Sequence, residues 1–355
     1  MSESSIYRKG IPMTVTSRGR ARAWHLTRRP QAQASADDFA LVEAQIPELG
    51  PDQVLVRNTH LSVDPYMRGR MDDRPSYIPP FPLNAPLEGG AVGVVVESRA
   101  DGVKPGQVVE HFLGLREATV IDAAGVVPID TGDLPAETYL GVLGVTGLTA
   151  WLGITQVASV RSGDTVFVTG AAGAVGSIAG QIARLRGAKR VIGSAGSSAK
   201  VRHLVDDLGF DTAFDYHDGA AGEHLAQAAP DGIDVVFDNV GGAQLEAAID
   251  QLRVGARLAL CGMASQYDGR EPHGLRNLYQ LVTKRATARG FLVTDHQDQM
   301  PAFRAEVGSW VRSGEIVHRQ TVLDGIERVP EALLGLLHGG APTIGKAVVR
   351  IEEQA

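Results

Sequence analysis

Glycines at 170, 173 and 176 punctuate the run Asp164-Thr-Val-Phe-Val-Thr-Gly-Ala-Ala-Gly-Ala-Val-Gly176. The apolar stretch before them reads as a buried strand. The stretch after them, Ser177-Ile-Ala-Gly-Gln-Ile-Ala-Arg-Leu-Arg186, reads as an amphipathic helix. Glycines so placed relieve crowding at the turn, at a close ligand and at the helix–sheet contact, while the helix N-terminus presents free N–H groups. That is the chemistry of a pyrophosphate cradle, lined by Gly170, Ala172, Gly173, Ala174, Val175 and Gly176. A tight turn with no ligand would use the same glycines. The second strand expected near residue 190 favours the dinucleotide reading.

About twenty residues further on, an NAD site carries an acid for the ribose hydroxyls. The chain instead reads Val191-Ile-Gly-Ser-Ala-Gly-Ser-Ser-Ala-Lys200. Ser194, Gly196, Ser197 and Lys200 supply hydroxyls, backbone N–H groups and a point charge that suit a phosphorylated ribose, so the expected cofactor is NADPH. The alternative for Lys200 is a solvated helix lysine. Tyr216 ends the next strand and either adds a phenol to this group or simply packs. In Asp238-Asn-Val-Gly-Gly242 a strand meets paired glycines at the carboxyl edge of the expected sheet, where ligands sit. Asn239 either meets the cofactor or caps a helix from about 243, and Asp238 reads as a partner of the turn. Cys261-Gly-Met-Ala-Ser-Gln-Tyr267 also follows a strand end. The Tyr267 phenol there either donates to a carbonyl oxygen gaining negative charge or packs at the rim. Asp64-Pro-Tyr-Met-Arg-Gly-Arg-Met71 sets Tyr66 beside two arginines and, taken alone, is a turn with surface charges.

The elements that must hold these residues fall into segments. Residues 20–145 carry short strand-like runs such as Gln53–Arg57, Ala91–Glu97 and Gln107–Phe112, with a turn at Asp101–Gly106, and predict an antiparallel β domain. From about 146, strand-like runs at 164–169, 190–193, 212–216, 233–239, 256–262 and 286–293 alternate with helical patterns, among them 177–186 and 198–207. That alternation predicts an α/β, doubly wound parallel sheet. After about 316 the chain returns to β-like segments ending Gly345-Lys-Ala-Val-Val-Arg-Ile351, which should pair back onto the first domain. The predicted division is 1–145 with 316–355 for one domain and 146–315 for the other.

Composition narrows the function classes. A length of 355 residues suits about two domains. A net charge of −7 weighs against nucleic acid and anionic membranes as partners. No apolar run approaches the ~20 residues of a bilayer span. The basic residues Arg8, Lys9, Arg18, Arg20 and Arg22 have no apolar core behind them, so no signal peptide and a cytoplasmic address are expected. Met13 is an alternative start that would leave residues 1–12 as a tail. The single cysteine, Cys261, excludes an internal disulfide and a four-cysteine zinc site, and reads as a small core residue at a strand end. The ten histidines lack ligand spacing, so no metal is expected. No Gly-x-Ser-x-Gly elbow points to a hydrolase.

On these motifs the chain resembles the zinc-free medium-chain dehydrogenases/reductases, in particular the alkene reductases that include leukotriene B4 dehydrogenase/prostaglandin reductase, plant alkenal double-bond reductases and bacterial curcumin reductase. Val63–Met71, Leu143–Ala150, Thr169–Ser177, Phe237–Gly242, Cys261–Tyr267 and Gly345–Arg350 carry the resemblance, in order, over roughly residues 20–351. It implies a GroES-like catalytic domain interrupted by a Rossmann domain, NADPH in the cleft, an enone substrate and a homodimer. It sets Lys200 and Tyr216 on the 2′-phosphate, Asn239 on the cofactor, Tyr267 on the substrate carbonyl and Tyr66 in the pocket. Arg68 and Tyr77 join the substrate set, and Cys261, Gly262, Tyr267, Phe291 and Val293 the cofactor set. Tyr267 and Tyr66 are the expected catalytic pair. Trp151 and Thr343 depart from the family's usual residues. The implied reaction delivers hydride to the β-carbon of the enone while Tyr267 stabilises the enolate. An NADPH:quinone oxidoreductase shares fold and motifs, and a non-catalytic nucleotide sensor would keep the glycine loop and Lys200 without using the tyrosines.

Overall fold

Apolar residues alternating with polar ones give the chain its first sheet. The computed structural model describes residues 19–269, 271–339 and 343–351; residues 1–18, with Met13 and the basic Arg8, Lys9 and Arg18, lie outside the described residues. β1 (Arg20–Leu26) and β2 (Phe39–Gln45) form an antiparallel pair. β3 (Gln53–Ser62) runs into a short helix, α1 (Met67–Arg70), and is followed by β4 (Ala91–Ser98), β5 (Val108–His111), β6 (Ala118–Asp122) and β7 (Val126–Pro128).

The pattern then switches. After α2 (Val145–Leu152) come β8 (Thr165–Val168), α3 (Gly176–Leu185), β9 (Arg190–Ala195), α4 (Ser198–Arg202), β10 (Thr212–Asp215), α5 (Ala221–Ala228), β11 (Ile233–Asp238), α6 (Gly242–Asp250), β12 (Leu252–Leu260), α7 (Tyr279–Thr283) and β13 (Thr287–Gly290). The strands form a parallel sheet in the order β10-β9-β8-β11-β12-β13. That order reverses between β8 and β11, the switch point at which doubly wound sheets open a ligand crevice. Val166, Phe167 and Val168 are all fully buried, as a central strand covered on both faces requires.

α8 (Met300–Ser313), β14 (Gln320–Asp324), α9 (Val329–His338) and β15 (Lys346–Arg350) finish the chain. β15 pairs antiparallel with β3 and parallel with β14, completing a seven-stranded sheet of order β14-β15-β3-β4-β5-β7, with β6 also on β3. The tail thus returns to the first sheet as expected.

Some runs differ from the sequence reading. The run 256–262 is strand only to Leu260, because the N–H groups of Cys261 and Gly262 both turn onto the Asp238 carbonyl. The run 286–293 shortens to Thr287–Gly290, leaving Phe291 and Val293 beyond the strand. The stretch after 316 is not all β: α9 starts with Pro330 in its first turn and stops at Gly339 with φ +77°, the proline-first, glycine-last signature of a helix.

Candidate active site

The crevice at the β8/β11 switch point is built by backbone before side chains. Gly170 turns with φ +57°, a left-handed conformation that glycine adopts freely. A Cβ on Gly176 would lie 2.5 Å from the Gly170 carbonyl oxygen and 2.8 Å from the Ala171 Cα, so the start of α3 cannot carry a side chain there. A Cβ on Gly173 would meet only the Gly170 oxygen, at 3.3 Å. Space above that residue is therefore open to a ligand. Thr169 pins the turn to the neighbouring strand: its hydroxyl donates to Asp238 at 2.6 Å and accepts from the Asn239 N–H at 2.8 Å. The Asn239 amide donates to the Thr169 carbonyl at 2.7 Å.

Asp238 accepts from the N–H groups of Val240 and Gly241, as a partner of the turn should. Burial pushes its carboxyl above the usual carboxylate range, opposed by these donors. The capping alternative for Asn239 fails, because Gly241 stands at the start of α6 and the Asn239 side chain faces the glycine turn instead. From the other sheet, the Gly345 N–H donates to the Ala172 carbonyl at 2.9 Å. Gly345 has φ +70°, and a Cβ there would sit 1.9 Å from the Arg319 oxygen, so this strap needs glycine. Ala174 and Val175 lie between the turn and α3.

At the end of β9 the residues expected around the ribose phosphate come together. A Cβ on Gly196 would lie 2.8 Å from the Tyr216 hydroxyl, which places that phenol directly over the glycine. Ser197 caps α4, its hydroxyl accepting from the Lys200 N–H at 3.3 Å. The half-buried Lys200 ammonium has its pKa lowered by burial, with Asp215 acting against that shift. Ser194 differs from expectation in its side chain. The hydroxyl is fully buried and donates to Gln244 of α6 at 2.5 Å, so it is not free for a ligand. Its carbonyl instead accepts from the Ala171 N–H at 2.8 Å and fixes the glycine turn.

The phenols line the other wall. The Tyr267 hydroxyl accepts from the Met263 N–H at 3.3 Å, which leaves its own proton free to donate. Burial raises its pKa, opposed by that N–H, and the phenol stays protonated at neutral pH. The Tyr66 hydroxyl is buried with no hydrogen-bond partner among the described residues, and burial above all raises its pKa. Its ring stacks on Phe112 at 6.5 Å. Tyr77 has much of its surface exposed, yet its hydroxyl end is crowded enough by protein, and then by the Tyr267 phenol and Cys261 thiol, to be raised too. Cys261 closes this wall, pushed up to about 12 by burial and by Asp238. Gly262 packs against the Asn239 backbone, where a Cβ would meet the carbonyl oxygen at 3.0 Å. Phe291 sits edge-on to Phe237 at 6.5 Å, and Val293 packs on the same core.

Arg68 is corrected. Expected to touch substrate, it is 5% exposed and all its guanidinium nitrogens are spent inside the protein. Nε donates to Asp268 at 2.9 Å, Nη1 to Asp72 at 2.7 Å and Nη2 to the Ala32 carbonyl at 2.9 Å. Sequence reasoning also missed Lys346, whose ammonium donates to the Val63 carbonyl at 2.7 Å and to Asp64 at 2.9 Å. A lysine opening an otherwise apolar strand was its only signal.

Comparison with known proteins identifies the family. Residues 22–129 match the family described as the N-terminal domain of oxidoreductase, and residues 174–308 match the one described as zinc-binding dehydrogenase. Among the described residues no group of three or more His, Cys, Asp or Glu is arranged to hold a metal. The NADPH-dependent curcumin reductase of Escherichia coli is 38% identical over 340 residues, 94% of this chain and 97% of that protein. The NADP-dependent 2-alkenal reductase of Nicotiana tabacum is 39% identical over 316 residues, 88% of this chain and 91% of that one. The crystal structure of CurA from Vibrio vulnificus in complex with NADPH superimposes with a TM-score of 0.88 at 36% identity, covering 94% of this chain and all of that one.

Proposed function

The chain belongs to the medium-chain dehydrogenase/reductase family of alkenal and curcumin reductases, and on that premise we propose that it reduces carbon–carbon double bonds conjugated to a carbonyl, using NADPH. The glycine turn fits the dinucleotide: Gly173 is open above and Gly176 lets α3 begin against the loop. Lys200 and the Tyr216 hydroxyl would hold the 2′-phosphate, and Asn239 would meet the cofactor further along the crevice. When bound, NADPH supplies the hydride that reaches the β-carbon of the enone.

Tyr267 carries the protein's share of the chemistry. As the β-carbon gains hydride, negative charge moves to the carbonyl oxygen, and a neutral phenol can donate to it. The observation that supports this role is the Tyr267 hydroxyl, which accepts from the Met263 N–H and keeps its own proton available. Such an oxyanion donor is worth about 3 kcal/mol, or roughly 10² in rate. Tyr66, whose hydroxyl has no hydrogen-bond partner among the described residues, offers a second donor on the pocket wall. The α-carbon takes its proton from solvent or a relay.

The same reading assigns residues 1–145 and 316–355 to the catalytic domain, 146–315 to the NADPH-binding domain, and a cytoplasmic, metal-independent homodimer to the working enzyme. The open edge of β13 supports the dimer: its four residues are exposed beside Leu278, Tyr279 and Val282, which are 51%, 73% and 67% exposed. The deciding experiment follows nicotinamide absorbance with NADPH or NADH against an alkenal, an arylidene ketone and a benzoquinone. NADPH-selective loss with enones, yielding the saturated carbonyl compound, is expected. Turnover of the quinone alone would replace this reading with a quinone reductase.

A further inference from the structure

We propose that Asp268 is the positioning residue for Tyr267: it clamps the segment that carries this phenol to the helical turn that carries Tyr66. The proposal rests on the reading of Tyr267 as the carbonyl donor. The Asp268 side chain is 1% exposed, and a carboxylate so buried needs strong partners. It has two hydrogen-bond donors and one imidazole in close approach, from three segments distant in the chain. Oδ1 accepts from the Ala34 N–H at 2.7 Å and from Arg68 Nε at 2.9 Å. Oδ2 makes no hydrogen bond among the described residues; His338 Nε2, in the last turn of α9, lies 2.9 Å from it and pairs with it only as the protonated imidazole. All three belong to the part of the chain built around the antiparallel sheet, whereas Asp268 sits on the loop leaving β12 of the parallel one.

The spacing gives the clamp its function. Tyr66 lies two residues before Arg68, at the start of α1, and Tyr267 lies one residue before Asp268. A single buried ion pair therefore sets one phenol against the other. Arg68 cannot swing, because Asp72 and the Ala32 carbonyl hold its remaining nitrogens. The loop fits only in one conformation: Asp268 has φ +63° and Gly269 φ +72°. A left-handed backbone is uncommon for residues other than glycine, and Asp and Asn tolerate it best. A Cβ on Gly269 would lie 3.0 Å from the Ala32 carbonyl carbon and oxygen, so the loop lies flat against the segment that supplies the Ala34 N–H. Strain of this kind persists only where surrounding contacts over-determine it. Here those contacts are the clamp.

The test is a double-mutant cycle on the full enzyme, reading single-turnover enone reduction and NADPH affinity. Asp268→Asn keeps size and left-handed tolerance but removes the charge. Alone it should slow turnover about tenfold with NADPH affinity unchanged. In the Tyr267→Phe background the same change should cost less than twofold, because the donor it positions is gone. His338→Ala removes the imidazole facing Oδ2 at a half-exposed position and should show the same non-additivity with a smaller loss. It serves where Asp268→Asn does not fold. Equal losses in both backgrounds, or weakened NADPH binding with unchanged turnover, would overturn the positioning role while leaving Tyr267 as donor. Unchanged turnover in Tyr267→Phe alone would overturn the donor reading and the clamp's role with it.

Discussion

Removing the charge of Lys200 should convert cofactor selectivity into a direct readout of this site. The Lys200 ammonium makes no hydrogen bond or ion pair among the described residues, and the nearest opposing charge acting on it is Asp215. Burial already lowers its pKa, so the free enzyme holds this cation at a cost that a phosphate would relieve. A charge-assisted hydrogen bond to a phosphate contributes about 2 kcal/mol net, toward the middle of the usual range. At 1.4 kcal/mol per factor of ten, Lys200→Met should weaken NADPH roughly 30-fold. NADH lacks the 2′-phosphate, so its affinity should change less than about twofold by the same reasoning. The sign with pH follows. The phosphate favours the charged lysine, so NADPH affinity is full below the lowered Lys200 pKa and is lost as pH rises through it. Titration of nicotinamide fluorescence at pH 7.5 and at pH 10 measures both effects. Parallel losses for NADPH and NADH in the variant would mean that Lys200 only supports the fold of the loop, and the phosphate site would have to be sought elsewhere.

Other consequences are as direct. Tyr267→Phe should lower kcat about 10²-fold, with NADPH affinity unchanged, when hydride transfer limits the rate; stopped-flow absorbance checks it. His111 is neutral by construction, since the Leu113 N–H donates to Nδ1 at 3.1 Å and Nε2 bonds Asn58 at 2.8 Å. Burial, then Arg116, pushes its pKa down to about 4. The unfolded chain therefore takes up this proton near pH 6.5 and the folded one does not, so stability is full at neutral pH and falls as pH drops toward 4. Urea unfolding should show about 2 kcal/mol less stability at pH 5 than at pH 7 from this group, a difference that His111→Asn removes. Cys261, pushed up to about 12, should resist iodoacetamide at pH 8 in the native protein and react once it is unfolded. Val282→Glu, at a 67% exposed position beside β13, should yield a monomer by sedimentation velocity, with a melting temperature that is lower and no longer depends on protein concentration.

Local chemistry was legible in the sequence and long-range partnership was not. The glycine turn, Ser197 at the start of α4 and Asp238 beneath the paired glycines all make contacts with residues near them in the chain or on the adjacent strand. Spacing carries that information. Ser194 looked like its neighbours on the loop, but pleating turns alternate side chains to opposite faces of a strand. Its hydroxyl points off the face of the sheet at Gln244 of α6, fifty residues away. Arg68 failed as a substrate contact for a similar reason: its partner Asp268 lies 200 residues on. No periodicity announces such a pairing. The α9 helix was a different miss, since its proline and glycine signals were present but were outweighed by the β-like runs on either side.

The charges around Tyr66 gain meaning from those long-range contacts. In the segment 64–70, Asp64 is taken by Lys346 and Ser62, Arg68 by Asp268 and Asp72, and Arg70 by Glu88 and the Pro79 carbonyl. What remains without a hydrogen-bond partner among the described residues is the Tyr66 hydroxyl and one Arg70 nitrogen, Nη1. A motif that reads as a turn with surface charges therefore has its charges paired within the protein. Its ions neutralise one another inside the wall, and the buried Tyr66 phenol, its ring stacked on Phe112, sits in a medium of low polarity. Hydrogen bonds formed there are stronger than in water, and they need no reorganisation when charge develops on a carbonyl oxygen. On the proposed reading the ion pairs hold the phenols in place and the phenols supply the polar contacts, so neutralising one buried charge at Asp268 should be felt as a loss of rate before it is felt as a loss of cofactor binding.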